Sequence, residues 1–358
     1  MVATNALDSQ SISTNAGSVL RMRLSCALVT NVDSPEVVVA AERLGYSRAW
    51  LYDSPALTSD VWVALALAAE RTSTIGLGPG VLVPNLRHPM TNAAAIATLT
   101  AIAPGRVAIA LGSGFTARYT LGQRPLRWAY VEKYVATLRA LLRGETVEWE
   151  GAPIRMMHTD GFVAARPVDV EVLIGAEGPK GTAVAERVGD GVFAAGVPNA
   201  LAAGRSYSLL QFGTVLGEGE DVRSSRVTAA AGHGLAVVIH ALYERAGADA
   251  VRALPGGSQW IDTIETIPSA ERHLVTHEGH LVRLTAVDEE AVSLAADLLP
   301  QFTFSGTAAQ LRERAAEYAA AGITELVYQP AGPDIVGELA RMIAAIGDVT
   351  EAASAPTG

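Results

Sequence analysis

Two hydrophobic rhythms alternate along the chain. MRLSCALV (22–29) and VEVLIG (170–175) are apolar at most positions, the pattern of short strands buried on both faces. Between such runs the apolar residues recur at helical spacing. SPEVVVAAERLG (34–45) is predicted as a helix, with Ser34 as N-cap, Pro35 in the first turn and Gly45 as the stop. The same reasoning predicts strands over 47–53, 73–83 and 106–112, the second of them interrupted by glycines. It predicts helices over 59–72 capped by Ser59, over 88–103 with Pro89 at the start, and over 124–144 ending at Gly144. Residues 145–167 lack a helical period and read as a hairpin insertion. After the strand at 170–175 come a helix running through Arg187 and a strand over 191–196. Further on, 206–216 reads as a strand, 226–247 as a helix, 248–300 as a second insertion, 305–322 as a helix capped by Ser305, 324–330 as a strand and 333–347 as a last helix.

Strands separated mainly by helices predict a parallel α/β architecture, and their number fits a (β/α)8 TIM-type barrel with insertions. A doubly wound open sheet is the alternative. The predicted organisation is an N-terminal arm over 1–20, one barrel domain over 21–350 with insertions near 145–167 and 248–300, and a tail over 351–358. No repeat at solenoid spacing divides it.

Composition narrows the function. Lys133 and Lys180 are the only lysines among 27 basic residues, and the formal net charge is −10, so the dense basic patch of a nucleic-acid binder is missing. The single cysteine, Cys26, lies in an apolar run and reads as a buried inert thiol; it excludes an internal disulfide. No apolar run is long enough to span a bilayer and the polar first residues do not read as a signal peptide, so a cytoplasmic location without membrane attachment is expected.

In a β/α barrel the chemistry sits at the carboxyl ends of the strands. Those positions hold Asp53-Ser54-Pro55, the glycine-broken GLGPGVLV (76–83), GSGFT (112–116) and GAEGPKG (175–181). The last precedes a helix with Pro179 near its start, so first-turn N–H groups, with Lys180 beside them, suit an anion such as phosphate. A plain tight turn is the bland reading, but it needs fewer glycines. The loop has neither the GxxxxGK[ST] nor the GxGxxG spacing, which argues against a P-loop nucleotidase and a classical dinucleotide fold. Glycines inside the third strand point to a bulge against which a flat ring could lie.

SRAWLYDS (47–54), the run from RTSTIGLGPG to VAIALGSG (71–114), VLIGAEGPKGTAVAERVGDGVFA (172–194) and SGTAAQLRERAAEYAAAGITELVYQP (305–330) together resemble the bacterial luciferase-like superfamily. That group holds FMN-dependent monooxygenases and oxidoreductases using the deazaflavin coenzyme F420, methylenetetrahydromethanopterin reductases among them. The resemblance implies a flavin or deazaflavin, FMN or F420, in the barrel mouth, backed by a strand-three bulge with a non-proline cis peptide near Gly80-Val81. It implies a cofactor site at Ser54, Gly80, Val81, Gly112, Ser113, Gly114 and Thr116, with the phosphate held by Gly175, Ala176, Glu177, Gly178, Pro179, Lys180 and Gly181.

Two positions depart from the superfamily's pattern. Luciferase and the sugar-phosphate members carry a histidine where this chain has Ser54, and the sugar-phosphate members carry a glutamate where it has Phe115. The departures argue against sugar-phosphate dehydrogenation and a luciferase-type peroxide step. Hydride transfer to or from an imine, enone or pterin-like small molecule is the leading expectation. An FMN monooxygenase fed by a partner reductase and a non-catalytic flavin-binding protein are the alternatives, and a homodimer is left open. Asp53 is the candidate proton donor, a turn cap being its structural reading. Arg87 and His88 open the third helix, with His88 read as structural. Phe115 and Tyr119, with His273 and His277 from ERHLVTHEGH (271–280), are candidates for the substrate side. The i,i+4 pair of histidines has a spacing zinc sites use, yet a complete ligand set is not visible with His280 beyond Gly279, so no metal is expected.

Overall fold

The computed structural model describes residues 22–197, 205–347 and 350–351; the expected arm over 1–20 and all but the first residue of the expected tail lie outside them. Eight strands, β1 (Met22–Leu28), β2 (Arg48–Leu51), β3 (Gly76–Pro79), β4 (Ala108–Gly112), β5 (Glu171–Gly175), β6 (Gly191–Ala194), β7 (Ser206–Phe212) and β8 (Glu325–Gln329), form one sheet in the order β3-β2-β1-β8-β7-β6-β5-β4. Every neighbouring pair in that order is parallel. The two ends meet through parallel bridges at Leu77–Val107 and Leu82–Leu111, which close the sheet into a barrel rather than an open doubly wound sheet. A short pair at Thr350–Glu351 adds to β1, so Glu351, expected in the tail, is paired with Arg23 instead.

The closing seam carries the irregularity that the glycines announced. Between its two bridges the β3 side advances from residue 77 to 82 while the β4 side advances from 107 to 111, so β3 holds one extra residue, a β-bulge. Close approach requires the glycine at 78: a Cβ there would stand 2.0 Å from the Ala108 carbonyl oxygen. The Gly80–Val81 peptide is cis.

Helices α1 (Ser34–Leu44), α2 (Val61–Arg71), α3 (Pro89–Ile102), α4 (Trp128–Arg143) and α5 (Pro179–Val188) follow β1 to β5 in turn, α6 (Ser225–Ala246) and α7 (Ala308–Ala320) lie between β7 and β8, and α8 (Ile335–Ile346) follows β8. Their apolar faces and the outward faces of the strands make the large core, while Trp50, Leu173, Phe193 and Val327 fill the barrel itself. Trp50 meets Phe193 edge to face at a centroid distance of 5.2 Å. At the amino ends of the strands the buried Glu325 carboxylate accepts from Trp50 Nε1 (3.1 Å), Ser208 Oγ (2.6 Å) and Arg48 Nη1 (3.3 Å). Burial works against its charge, but Arg48 and Arg23, with the Ser208 hydrogen bond and the neighbouring Ser25 hydroxyl, together hold its pKa below the ordinary glutamate value.

Several caps differ from expectation because neighbouring short polar side chains take the cap position or bond elsewhere. Asp33, not Ser34, stands before α1; Ser34 Oγ accepts from Asn31 N and donates to the Val29 carbonyl. Asp60 caps α2 in place of Ser59, accepting from Trp62 N and Val63 N. Thr307 caps α7 through a capping box with Gln310, while the buried Ser305 bonds to Thr303 Oγ1 and receives Thr214 N. The strand expected over 206–216 breaks at Gly213, where a Cβ would lie 2.1 Å from the Phe304 carbonyl oxygen; Val215–Leu216 then pairs with Gly306–Thr307 outside the barrel. The insertion at 145–167 opens with the hairpin Val147–Trp149 and Ala152–Ile154. The one at 248–300 folds into short helices, chiefly Gly257–Glu265, Arg272–Thr276 and Ala286–Leu294, packed on α6 through Ile239, Trp260 and Ile261.

Candidate functional site

A cavity of about 680 Å³ opens at the carboxyl ends of the strands. Its floor is Val81, whose side chain lies where β-carbons on two neighbouring strands would be: a Cβ on Gly112 would meet Val81 Cγ2 at 3.0 Å, and one on Gly175 would meet Cγ1 at 3.1 Å. Glycines at those two strand ends therefore let the bulge turn an apolar side chain across the barrel mouth. Tyr52, Phe193 and Leu210 continue the floor into one wall. Gly80 also lines the cavity, but the space its missing side chain would occupy faces the Trp50 indole at 3.1 Å rather than the opening.

Two loops line the cavity beside the floor. One is the β4–α4 connection through Gly112, Ser113, Gly114, Phe115 and Thr116; Gly114 has φ +80°, and its β-carbon would collide with Val83 and Arg118, so only glycine fits there. The other is the β5–α5 connection, of which Gly175, Ala176, Glu177 and Gly178 face the cavity. α5 starts with no side-chain cap, leaving its first-turn N–H groups without the intrahelical partners they lack by construction.

Asp53 lies at the end of β2 on the cavity wall and is 4% exposed. Arg87 Nη1 donates to its Oδ2 at 2.6 Å, and Arg87 Nη2 donates to Asp60 Oδ2 at 2.9 Å. Burial raises the Asp53 pKa; the Arg87 pairing pulls it back without cancelling the effect. Tyr52, beside it, donates its hydroxyl to Gln329 Oε1, and burial keeps that phenol protonated by raising its pKa well above the usual value. A buried carboxyl held by Arg87 and a buried phenol held by Gln329 thus stand at the edge of the apolar floor.

The other sequence-nominated residues distribute as follows. Ser54, Gly80, Val81, Gly112, Ser113, Gly114, Phe115, Thr116, Gly175, Ala176, Glu177 and Gly178 all reach the cavity. Pro179, Lys180 and Gly181 do not line it: Lys180 is exposed, and Gly181 sits where a β-carbon would strike the Trp128 ring at 2.5 Å. Tyr119 and His277 form a layer behind Phe115, with Tyr119 stacked on His277 at 5.4 Å and edge-on to Phe115 at 4.8 Å. His273 points elsewhere, against Gly122. His88 accepts from Met90 N as the N-cap of α3, the structural part expected of it.

Arg245, Trp128 and Leu281 on the cavity rim were not nominated. Arg245 lies over the Phe115 ring at 5.7 Å and reaches Glu177 at 3.4 Å, so it brings positive charge to the loop side that the sequence assigned to Lys180. Nothing local marks it, since it ends an ordinary amphipathic helix.

A closed parallel barrel with a glycine-walled small-molecule cavity at its strand carboxyl ends defines a (β/α)8 protein of the kind that hosts enzymes. The sequence profile of the luciferase-like monooxygenase family matches residues 16–325, and the chain belongs to that family. The 5,10-methylenetetrahydromethanopterin reductase of Methanolobus tindarius is 33% identical over 156 residues, 42% of this chain and 46% of that protein. The F420-dependent glucose-6-phosphate dehydrogenase of Beutenbergia cavernae is 38% identical over 138 residues, 36% of this chain and 39% of its own length. The matched segments thus span less than half of these relatives. The coenzyme F420 dependent tetrahydromethanopterin reductase from Methanopyrus kandleri superimposes with a TM-score of 0.60 at 21% identity, over 92% of this chain and all of that one (100%). An F420-dependent secondary alcohol dehydrogenase gives a TM-score of 0.61 at 18% identity, over the same 92% and 100%. These likenesses show the shared barrel fold. Among the described residues no helix is long and apolar enough to cross a membrane.

Proposed function

We propose that the cavity binds a flavin or deazaflavin, coenzyme F420 or FMN, and that the chain is an oxidoreductase moving a hydride to or from a small organic substrate with an imine, enone or pterin-like acceptor. The observation that carries this reading is the Val81 floor between Gly112 and Gly175, a flat apolar surface at the barrel mouth with two N–H-rich loops facing it. Relatives named for F420 dependence favour the deazaflavin. The bound cofactor supplies the hydride chemistry; the protein supplies the rest. Val81, Tyr52 and Phe193 exclude water from one face of the cavity. The loops at 112–116 and 175–178 offer backbone N–H groups, with Arg245, to a phosphate-bearing arm. Asp53, oriented by Arg87 and with its pKa raised by burial, is the carboxyl group placed to exchange a proton with the substrate.

The purified protein, incubated with each reduced cofactor with and without oxygen and a panel of acceptors, tests the reading. Anaerobic turnover with reduced F420 is the expected result. Oxygen-dependent turnover with reduced FMN would establish instead a monooxygenase that takes flavin from a partner reductase. Tight binding without turnover across the panel would leave a flavin-binding protein. Failure of both cofactors to bind would overturn the site itself.

A further inference from the structure

Behind Phe115 the insertion and α6 bury three histidines together. His240 comes from α6, and His277 and His280 come from the turn that follows the helix Arg272–Thr276; all three are at least 97% buried. One ring nitrogen of each lies within 4.8 Å of the other two. His240 Nε2 is 2.9 Å from Asp288 Oδ1, and that carboxylate is further held by Trp260 Nε1 at 3.0 Å and Thr285 Oγ1 at 2.8 Å. His277 Nε2 is 3.1 Å from Glu244 Oε1. His240 Nδ1 faces His280 Nδ1 at 2.6 Å. His277 Nδ1 and His280 Nε2 are buried with no hydrogen-bond partner.

Such a cluster is costly as a purely structural feature, because buried ring nitrogens without partners forfeit their hydration. It has the form of a metal site. Two of the three imidazoles are gripped on one nitrogen by a carboxylate, which fixes the tautomer and turns the other nitrogen's lone pair inward, the outer-shell pattern of metal-binding histidines. We propose that His240, His277 and His280 bind one divalent transition-metal ion of the zinc class, with Asp288 and Glu244 as the carboxylates that orient the ligands.

The geometry is within reach of this. Three atoms no more than 4.8 Å apart share a point within about 2.8 Å of all of them, so movements of about 1 Å, which include separating His240 Nδ1 from His280 Nδ1, bring the nitrogens to the 2.0–2.1 Å of a Zn–N bond. The two carboxylates balance the double positive charge. The Phe115 ring is 6.0 Å from the His280 ring, and Leu281 lines the cavity, so the ion would tie the insertion to α6 along the back of the cavity wall.

The test uses the full chain, stripped with EDTA and dialysed, then titrated with Co(II). Visible d–d absorption that saturates at one equivalent, displacement of the Co(II) by Zn(II), and a Zn(II)-dependent rise in Tm are expected. His240→Ala, His277→Ala and His280→Ala should each lose the absorption or weaken binding at least tenfold, and His273→Ala should keep it. Near-UV circular dichroism confirms which variants fold; should none fold, the wild-type titration still decides. Wild type that takes up no Co(II) or Zn(II) at tenfold excess would reduce the cluster to a hydrogen-bonded histidine stack. Uptake unchanged in all three variants, or lost equally in His273→Ala, would remove the site from this triad.

Discussion

Replacing Arg87 by leucine isolates the electrostatics around Asp53. The Asp53 carboxylate side chain is 2% exposed and Arg87 is 15% exposed, so the 2.6 Å ion pair between them is screened little by solvent. Removing one partner of a buried pair leaves an uncompensated charge, at a cost of about 3–5 kcal/mol. The ion pair with Asp60, broken by the same substitution, adds at most ~1 kcal/mol because Asp60 is 49% exposed. The cap of α2 survives, since Asp60 Oδ1 accepts from Trp62 N and Val63 N without Arg87. Nearly all of the destabilisation therefore belongs to Asp53. Its folded pKa already lies above the ordinary aspartate value through burial, and removal of Arg87 raises it further. A carboxyl whose folded pKa is raised binds its proton more tightly in the folded state, so its destabilising effect is absent below the unfolded pKa and grows as pH rises through the folded one. In urea titrations across pH, R87L should be most destabilised near neutrality and recover toward wild type on acidification. Asp53→Asn in the same background should restore about 2 kcal/mol or more at neutral pH and flatten the pH dependence. Equal destabilisation of R87L at every pH, or no recovery in the double variant, would show that Asp53 is not the buried charge that Arg87 compensates.

The cavity, the bulge and the buried charges make four further outcomes measurable. Gly175→Val would push side-chain atoms into Val81, 3.1 Å from the new Cβ, and should weaken FMN or F420 binding in a fluorescence titration by more than about tenfold with the fold retained by circular dichroism; undiminished affinity would refute the floor. Gly78→Ala should lower stability in urea by about 1–3 kcal/mol or more, since the Ala108 carbonyl 2.0 Å away belongs to the backbone and cannot turn aside. Glu325→Ala should cost about 3–5 kcal/mol at neutral pH; because its folded pKa is lowered, that difference from wild type should vanish as pH falls through the folded value, and a constant difference would contradict the assignment. Arg245→Ala should weaken binding of a phosphate-bearing flavin by about 1–3 kcal/mol while leaving riboflavin unaffected, and Lys180→Ala should do less; the reverse order would return the anion contact to Lys180.

The barrel was readable from the chain because its strands are apolar on both faces and its helices carry their own start and stop residues. Helix starts differed most: Asp60 and Thr307 cap the helices where Ser59 and Ser305 were expected to, and before α1 the Ser34 hydroxyl bonds back to Asn31 and Val29. Spacing cannot rank Ser59 against Asp60; only the direction in which the chain enters the helix does. The bulge at 78–81 was visible for a different reason. Glycine inside an otherwise β-branched run has a price in entropy, and a closed barrel offers few explanations for it except the close approach that Ala108 makes to Gly78.

The candidate site was legible in its backbone and not in its charges. Gly112, Gly114 and Gly175 are local facts, each tied to the end of a strand whose position the hydrophobic pattern already supplies. Positive charge at the mouth is a tertiary fact. Lys180 stands in the first turn of α5, directly after the glycines, yet the helix carries it to the exposed surface. Arg245 closes α6, far along the chain, and reaches the loop only because that long helix lies across the barrel top. The histidines repeat the lesson. His273 and His277 have metal-like spacing, but the short helix ends at Thr276, and the partner His277 meets is His240, on another element. Residues that serve a site by shaping the main chain can be found from their neighbours in sequence. The charged side chains and histidines near the mouth are drawn from whichever elements the barrel brings there, so for this chain they had to be read from the fold.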